Sequence, residues 1–287
     1  MVMKKNISIL LVIALAALIA SPLSAQDSSE KKLRALHGPA TAQLGGIAQV
    51  AVPAGYMFLD GKQTRAMMEA AGEPSGGNEV GFLRPTNGGW AVYFEYDKVG
   101  YVKDDDKDKL DAAKLLKAIK AGNDEGNKER ERNGNPPLII TGWEQEPKYD
   151  EKTHNLTWAI RATSEGKPIL NYNTRLLGRK GVMEVVLVCE PDNLPTILPT
   201  FSGLLSDYKF STGETYAEYK PGDRIAKYGL GALVLGGAAV GAAKLGLLGP
   251  VILLFKKAWK LVIFVFVAIA GFFKKMFNKI TGNRPRE

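Results

Sequence analysis

The chain of 287 residues has one cysteine, Cys189, and two histidines, His37 and His154. A lone thiol forms no internal disulfide, so no cystine framework holds this fold. Cys189 sits in "VMEVVLVCEP" and reads as a small apolar residue inside a sheet, with a thiol free to pair with a partner as the alternative. Two distant histidines do not supply the locally spaced ligands of a zinc site, and neither H-E-x-x-H nor G-x-S-x-G occurs. The sequence therefore offers no catalytic residue, no metal ligand set and no cofactor motif. Asp104, Asp106 and Asp108 have the alternate spacing of a calcium loop, but Lys109 and Leu115 stand where that loop needs Gly and Glu. These acids fit better at the positive N-terminal end of a helix.

A basic central domain is missing too, although the net charge is +8 and the pI is near 9.3. Residues 1–25 carry two lysines, and residues 228–287 carry nine basic residues against one acid. The remaining 26–227 hold 27 basic and 29 acidic residues, so the main domain is close to neutral. A nucleic-acid surface needs a strongly positive domain, which excludes that partner. The basic residues instead flank apolar stretches, where they set membrane topology and attract anionic headgroups.

Those stretches lie at both ends. Lys4 and Lys5, the apolar run Ile7 to Ala20 and "PLSA" ending at Ala25 have the three parts of a secretory signal, too short for an ordinary spanning helix. An uncleaved anchor is the alternative. From Tyr228 to Ala243 no residue is charged, and residues 228–249 are predicted to form a transmembrane helix with Lys244 reaching a headgroup layer. Gly237 and Gly241 share one face of it and form a predicted helix-packing site for another membrane protein. Residues 250–273 form a second membrane-inserted segment. Its core, Leu261 to Phe273, would be about 20 Å long as a helix, so it either spans or lies along the inner interface. A basic tail, 274–287, follows. The expected location is the inner (cytoplasmic) membrane, with the main domain periplasmic.

Between these ends the pattern predicts an α+β fold: an antiparallel sheet with two main packed helices, in an exported domain over 44–227 preceded by a polar leader over 26–43. "IAQVAVPAGYMFLD" reads as extended chain broken at Pro53-Ala54-Gly55, and Asp60 as the cap of a short helix. "GGWAVYFEYD" alternates, with Trp90, Val92, Phe94 and Tyr96 on one face and Ala91, Tyr93, Glu95 and Asp97 on the other. "LDAAKLLKAIKAG" has helical spacing. Four strand-like runs joined by short turns then predict a meander, and Asp192 and Asn193 open a last helix. By order of elements alone, the domain resembles the sandwich of photosystem extrinsic proteins and of a small Ran-binding family.

Five stretches in order, "FEYDKVGYVKDDD", "LLKAIKAGNDEGNKERERNG", "GWEQEPKYDEKTHNLTWAI", "NYNTRLLGRKGVMEV" and "DRIAKYGLGALVLGG", carry a more specific resemblance. They are similar to a bacterial family of predicted membrane-anchored proteins, domain of unknown function 2167. The resemblance implies an exported domain with a C-terminal anchor and transfers no catalytic residue.

The second face of the predicted sheet supplies the candidate ligand-binding residues: Glu95, Asp97, Arg161, Asn171, Asn173 and Arg175, with Thr157 beside them. Brought together, they would form a patch of carboxylate, amide and guanidinium groups. The plainer reading of the same alternation is a solvated face knit by cross-strand ion pairs. The expected function is a non-catalytic interaction or ligand-binding domain held at the lipid bilayer, its partner another membrane or envelope protein. The alternatives are an envelope enzyme working from a concave pocket around Glu95, Arg161 and Arg175, and a membrane-stress or scaffold protein acting through its C-terminal segments.

Overall fold

A computed structural model describes residues 34–71, 75–132 and 134–236. The signal-like segment 1–25, Gly237, Gly241 and the second apolar segment lie outside the described residues. So do residues 26–33 of the leader; six of its other ten residues are strand. Leu36–His37 (β1) pairs with the strand Tyr56–Asp60, and Ala40–Leu44 (β2) with the strand Ala48–Val52, so the fold begins earlier than the polar composition suggested.

Ala48–Val52 (β3) and Tyr56–Asp60 (β4) flank the expected break at Pro53-Ala54-Gly55. Asp60 then starts helix α1 (Gly61–Ala70). Its Oδ1 accepts from the Gln63 backbone N–H at 2.9 Å, and Gln63 Oε1 accepts from the Asp60 N–H at 3.1 Å, a reciprocal cap. Glu79–Pro85 (β5) has no clean alternation and was not legible as a strand. Ala91–Asp97 (β6) has the expected one. Helix α2 (Ala112–Arg132) runs on through Gly122 and Gly126. The four predicted strands follow as β7 (Ile139–Asp150), β8 (Asn155–Ser164), β9 (Lys167–Leu177) and β10 (Val182–Cys189). Helix α3 (Leu194–Ser206), β11 (Lys209–Phe210) and the short α4 (Leu230–Val234) complete the described chain.

Eight strands form one antiparallel sheet in the order β1-β4-β5-β6-β10-β9-β8-β7. A second, three-stranded sheet, β11-β3-β2, was not anticipated. Together with α3 it covers one face of the large sheet. Phe94, Val185, Leu187, Cys189 and Leu170 from the large sheet meet Leu44 and Val50 of the small one and Phe201 of α3 there, all buried. Helices α1 and α2 pack against β4–β5 and β7, with Met68, Leu115 and Ile119 buried outside that core. The expectation of helices packed on an antiparallel sheet is met, with both faces covered. Each strand in the middle is therefore buried on two sides, and all eight residues of β10 are buried.

After β11 the chain returns along the β9–β10 hairpin as a strap. The Arg179 N–H donates to the Glu214 carbonyl at 2.8 Å, and the Arg179 guanidinium holds Asp223 at 2.6 and 2.8 Å. The Tyr101 N–H donates to the Arg224 carbonyl and the Ala226 N–H to the Tyr101 carbonyl, both at 2.8 Å. Gly100, at φ +97°, sits where a Cβ would collide with the Arg224 carbonyl. Gly100→Ala is expected to destabilise the domain by about 1–3 kcal/mol and to speed proteolysis within 220–236, read by thermal melts and limited digestion.

The strap ends in α4, and here the sequence reading is corrected. Residues 228–236, read as the start of a transmembrane helix, are folded onto the domain. Leu230, Leu233, Val234 and Leu235 are buried, and helix α4 stops before Gly236, at φ +87°. Asp106 accepts from the Leu230 and Gly231 N–H groups at 3.0 and 3.2 Å. Among the described residues no helix is long and apolar enough to cross a membrane.

Candidate functional site

The register of the large sheet places four ionisable residues in one cross-strand row: Glu79 on β5 faces Glu95 on β6, which faces Glu184 on β10, which faces Arg175 on β9. The row lies on the sheet face away from α3. It is not a solvated surface. Glu79, Glu95, Glu184 and Arg175 are exposed by only 2%, 3%, 1% and 4%. The polar face anticipated from alternation is an interior.

Three carboxyls share one guanidinium there. Arg175 Nη2 lies 2.6 Å from Glu184 Oε2, and its guanidinium carbon lies 4.7 Å from the centre of the Trp158 ring. Glu79 accepts from the Gly76 and Gly77 N–H groups at 2.7 and 2.9 Å and from Ser75 Oγ at 3.0 Å. Asn78 Nδ2 bridges Glu95 and Asp97 at 3.2 and 2.9 Å. Burial, and then the Glu79 carboxylate, push Glu95 up to about 8 against the opposing pull of Arg175. Burial likewise holds Glu184 well above the usual carboxylate range, again opposed by Arg175. Arg175 Nε and Nη1 and the Tyr228 hydroxyl make no hydrogen bond within the described protein, and Tyr228 lies within the electrostatic reach of Asp97, Glu184 and Arg175.

Of the sequence candidates, Glu95, Asp97, Asn171, Asn173 and Arg175 therefore share this face, with Asp97 half-buried and the others buried. Arg161 does not. It pairs with Leu170, a residue of the α3-side core, and its side chain, 46% exposed, reaches Glu144. Thr157 shares Arg161's face. Glu79 and Glu184 were missed. Glu184, the only charge in the apolar run "VMEVVLV", carried a legible signal; the placing of Glu79 depends on strand pairing and did not. A general acid or base must come within hydrogen-bond reach of a substrate. Carboxyls sealed this deeply do not.

A second feature is open. Where the layer over the α3-side face ends, β7, β8 and β9 leave a cleft against α3 of about 500 Å³. Gln145, Asn155 and Thr157 line its strand wall, Tyr172 and Thr174 its floor, and Phe201 and Ser202 its helix wall. Two aspartates of the calcium-like run have structural partners: Asp104 accepts from the Tyr149 hydroxyl at 2.9 Å, and Asp106 caps α4. Tyr149 also lies 3.1 Å from His154 Nδ1. Among the described residues no group of three or more His, Cys, Asp or Glu side chains could hold a metal ion.

Fold and site together define an antiparallel α+β domain with a sealed acidic row and a separate neutral cleft. The chain belongs to the family described as "Protein of unknown function (DUF2167)", whose profile matches residues 37–270. No curated protein matches it. Among solved structures it is similar to cyanobacterial PsbP (CyanoP) from Synechocystis sp. PCC 6803, at 11% identity over 67% of this chain and 100% of that one, TM-score 0.38. It is also similar to the Saccharomyces cerevisiae Ran-binding protein Mog1p, at 8% identity over 64% and 100%, TM-score 0.32.

Proposed function

We propose that this protein is a non-catalytic binding domain, exported and then held at the inner membrane by its C-terminal apolar segments, where it engages a ligand or an envelope protein. One observation carries the non-catalytic reading. The residues an enzyme would use, Glu95, Glu184 and Arg175, are sealed inside the sheet, while the open cleft is walled largely by amides, hydroxyls and aromatic rings. The pocket that an enzyme reading asked for around Glu95, Arg161 and Arg175 has no basis, because Arg161 lies on the opposite face. Export and tethering rest on the signal-like first 25 residues and on the basic flanks of the C-terminal runs.

The test is crosslinking in intact cells, followed by mild-detergent purification and mass spectrometry. A stoichiometric envelope partner is expected. Capture should fall severalfold when Gly237 and Gly241 are both replaced by leucine, which blocks close helix approach. Recovery of the chain in the soluble fraction would refute the tethering; turnover by a purified sample that Glu95→Gln abolishes would refute the non-catalytic reading.

A further inference from the structure

Resting on that binding-domain reading, we propose that the cleft between α3 and β7–β9 is a binding site for a neutral saccharide. Its volume, about 500 Å³, lies within the range of small-molecule sites, roughly 300–1,000 Å³. Its chemistry narrows the occupant. Gln145 donates to Thr157 Oγ1 at 3.2 Å, which leaves the Gln145 carbonyl oxygen for a ligand donor. The half-exposed Asn155 amide makes no side-chain hydrogen bond among the described residues, so it offers a donor and an acceptor together. Thr174, fully buried at the floor, has a hydroxyl with no partner within the protein, a site where a polar interior is left incomplete.

Charge is balanced. Lys148 and Asp150 are the only charged residues lining the cleft, and Asp150 Oδ1 already accepts from the Lys152 N–H at 2.8 Å. A phosphate or polyanion would need several cations or an Arg fork. A peptide added as a strand would use the free edge of β7, in the plane of the sheet and not in a cleft on its face, since the main chains of β8 and β9 are committed to their neighbours on both sides. Vicinal hydroxyls, each both donor and acceptor, match amides and threonines. The half-buried Tyr172 ring, set edge to face on the buried Phe201 ring at 5.8 Å, gives apolar surface for the C–H face of a pyranose.

Saturation-transfer NMR on the full chain in nanodiscs tests this with two probes, the uncharged trisaccharide chitotriose and, as contrast, triglutamate. Saturable transfer to chitotriose and none to triglutamate is expected. Asn155→Ala should weaken the sugar about fivefold, the effect of losing one neutral hydrogen bond. Ser202→Trp, at an exposed wall position, should abolish transfer while leaving the melting temperature unchanged. No transfer to chitotriose, or transfer untouched by Ser202→Trp, overturns the saccharide site. Intact-cell crosslinking of the same variant separates the two readings. If chitotriose fails but a partner is captured, the saccharide is refuted and the binding domain survives. If neither is found, both fall.

Discussion

Arg175→Met should be the most damaging single substitution in the domain. Arg175 is the only cation in a buried row with Glu79, Glu95 and Glu184. Its ion pair to Glu184 spans 2.6 Å between side chains exposed by 5% and 1%, so neither partner has water to fall back on. Removing one member of such a pair leaves an uncompensated buried charge, at about 3–5 kcal/mol. For a domain of this size that lowers the melting temperature by roughly 10 °C. The double variant Arg175→Met with Glu184→Met should recover most of the loss, because two apolar side chains beside Trp158 and Val186 need no solvation. Thermal melts of the two variants and the wild type decide it. A single variant melting within about 1 °C of wild type would mean that protonated carboxyls alone stabilise the row.

The row also selects the fold. A slip of one residue between β9 and β10 would carry Glu184 to the α3-side core, among Leu187, Cys189 and Phe201. A slip of two would keep it on its own face but move it from Arg175 to Asn173 or Leu177, with no cation. Apolar burial along β10 is nearly uniform and cannot distinguish these registers, since every residue of the strand is buried. The Arg175–Glu184 contact can.

How much of this was legible follows from the same geometry. Hairpins with short polar turns were legible because turn residues interrupt the chain at β7/β8, β8/β9 and β9/β10. Alternation correctly grouped Glu95 with Asp97, and Asn171 with Asn173 and Arg175. It could not say that their face is interior, because alternation separates two faces without saying which layer covers either. Arg161 was assigned to the wrong face because phase was judged within β8 alone. Its partner Leu170 fixes that phase only across strands. The small sheet escaped because β2 and β11 are short and lie in polar surroundings. The opening of the supposed membrane helix escaped for the opposite reason: a few apolar residues read alike whether they enter a bilayer or a protein core. Only the Asp106 cap and the turn at Gly236 distinguish them.

Stability should fall as pH rises from about 4.5 to about 8, and Glu95→Gln should weaken that dependence. Glu95 titrates near 4.5 when unfolded and near 8 in the fold, where burial and the Glu79 carboxylate favour the protonated form. Across that interval the folded state binds more protons than the unfolded one, so each pH unit removes up to about 1.4 kcal/mol. The contribution is complete below 4.5 and gone above 8. Glu184, raised by burial, acts in the same direction. Asp223 works the other way, in another window. Arg179 holds it at about 2, so its stabilisation is present above 3.8 and is lost as pH falls toward 2. Melting curves of wild type and Glu95→Gln should therefore meet near pH 4.5 and separate steadily up to pH 8, the variant being the more stable. Glutamine keeps an oxygen for Asn78 Nδ2 and cannot ionise, so the separation measures the buried charge itself. Parallel curves would show that Glu95 is ionised in the fold throughout and that Arg175 supports a second carboxylate in the row.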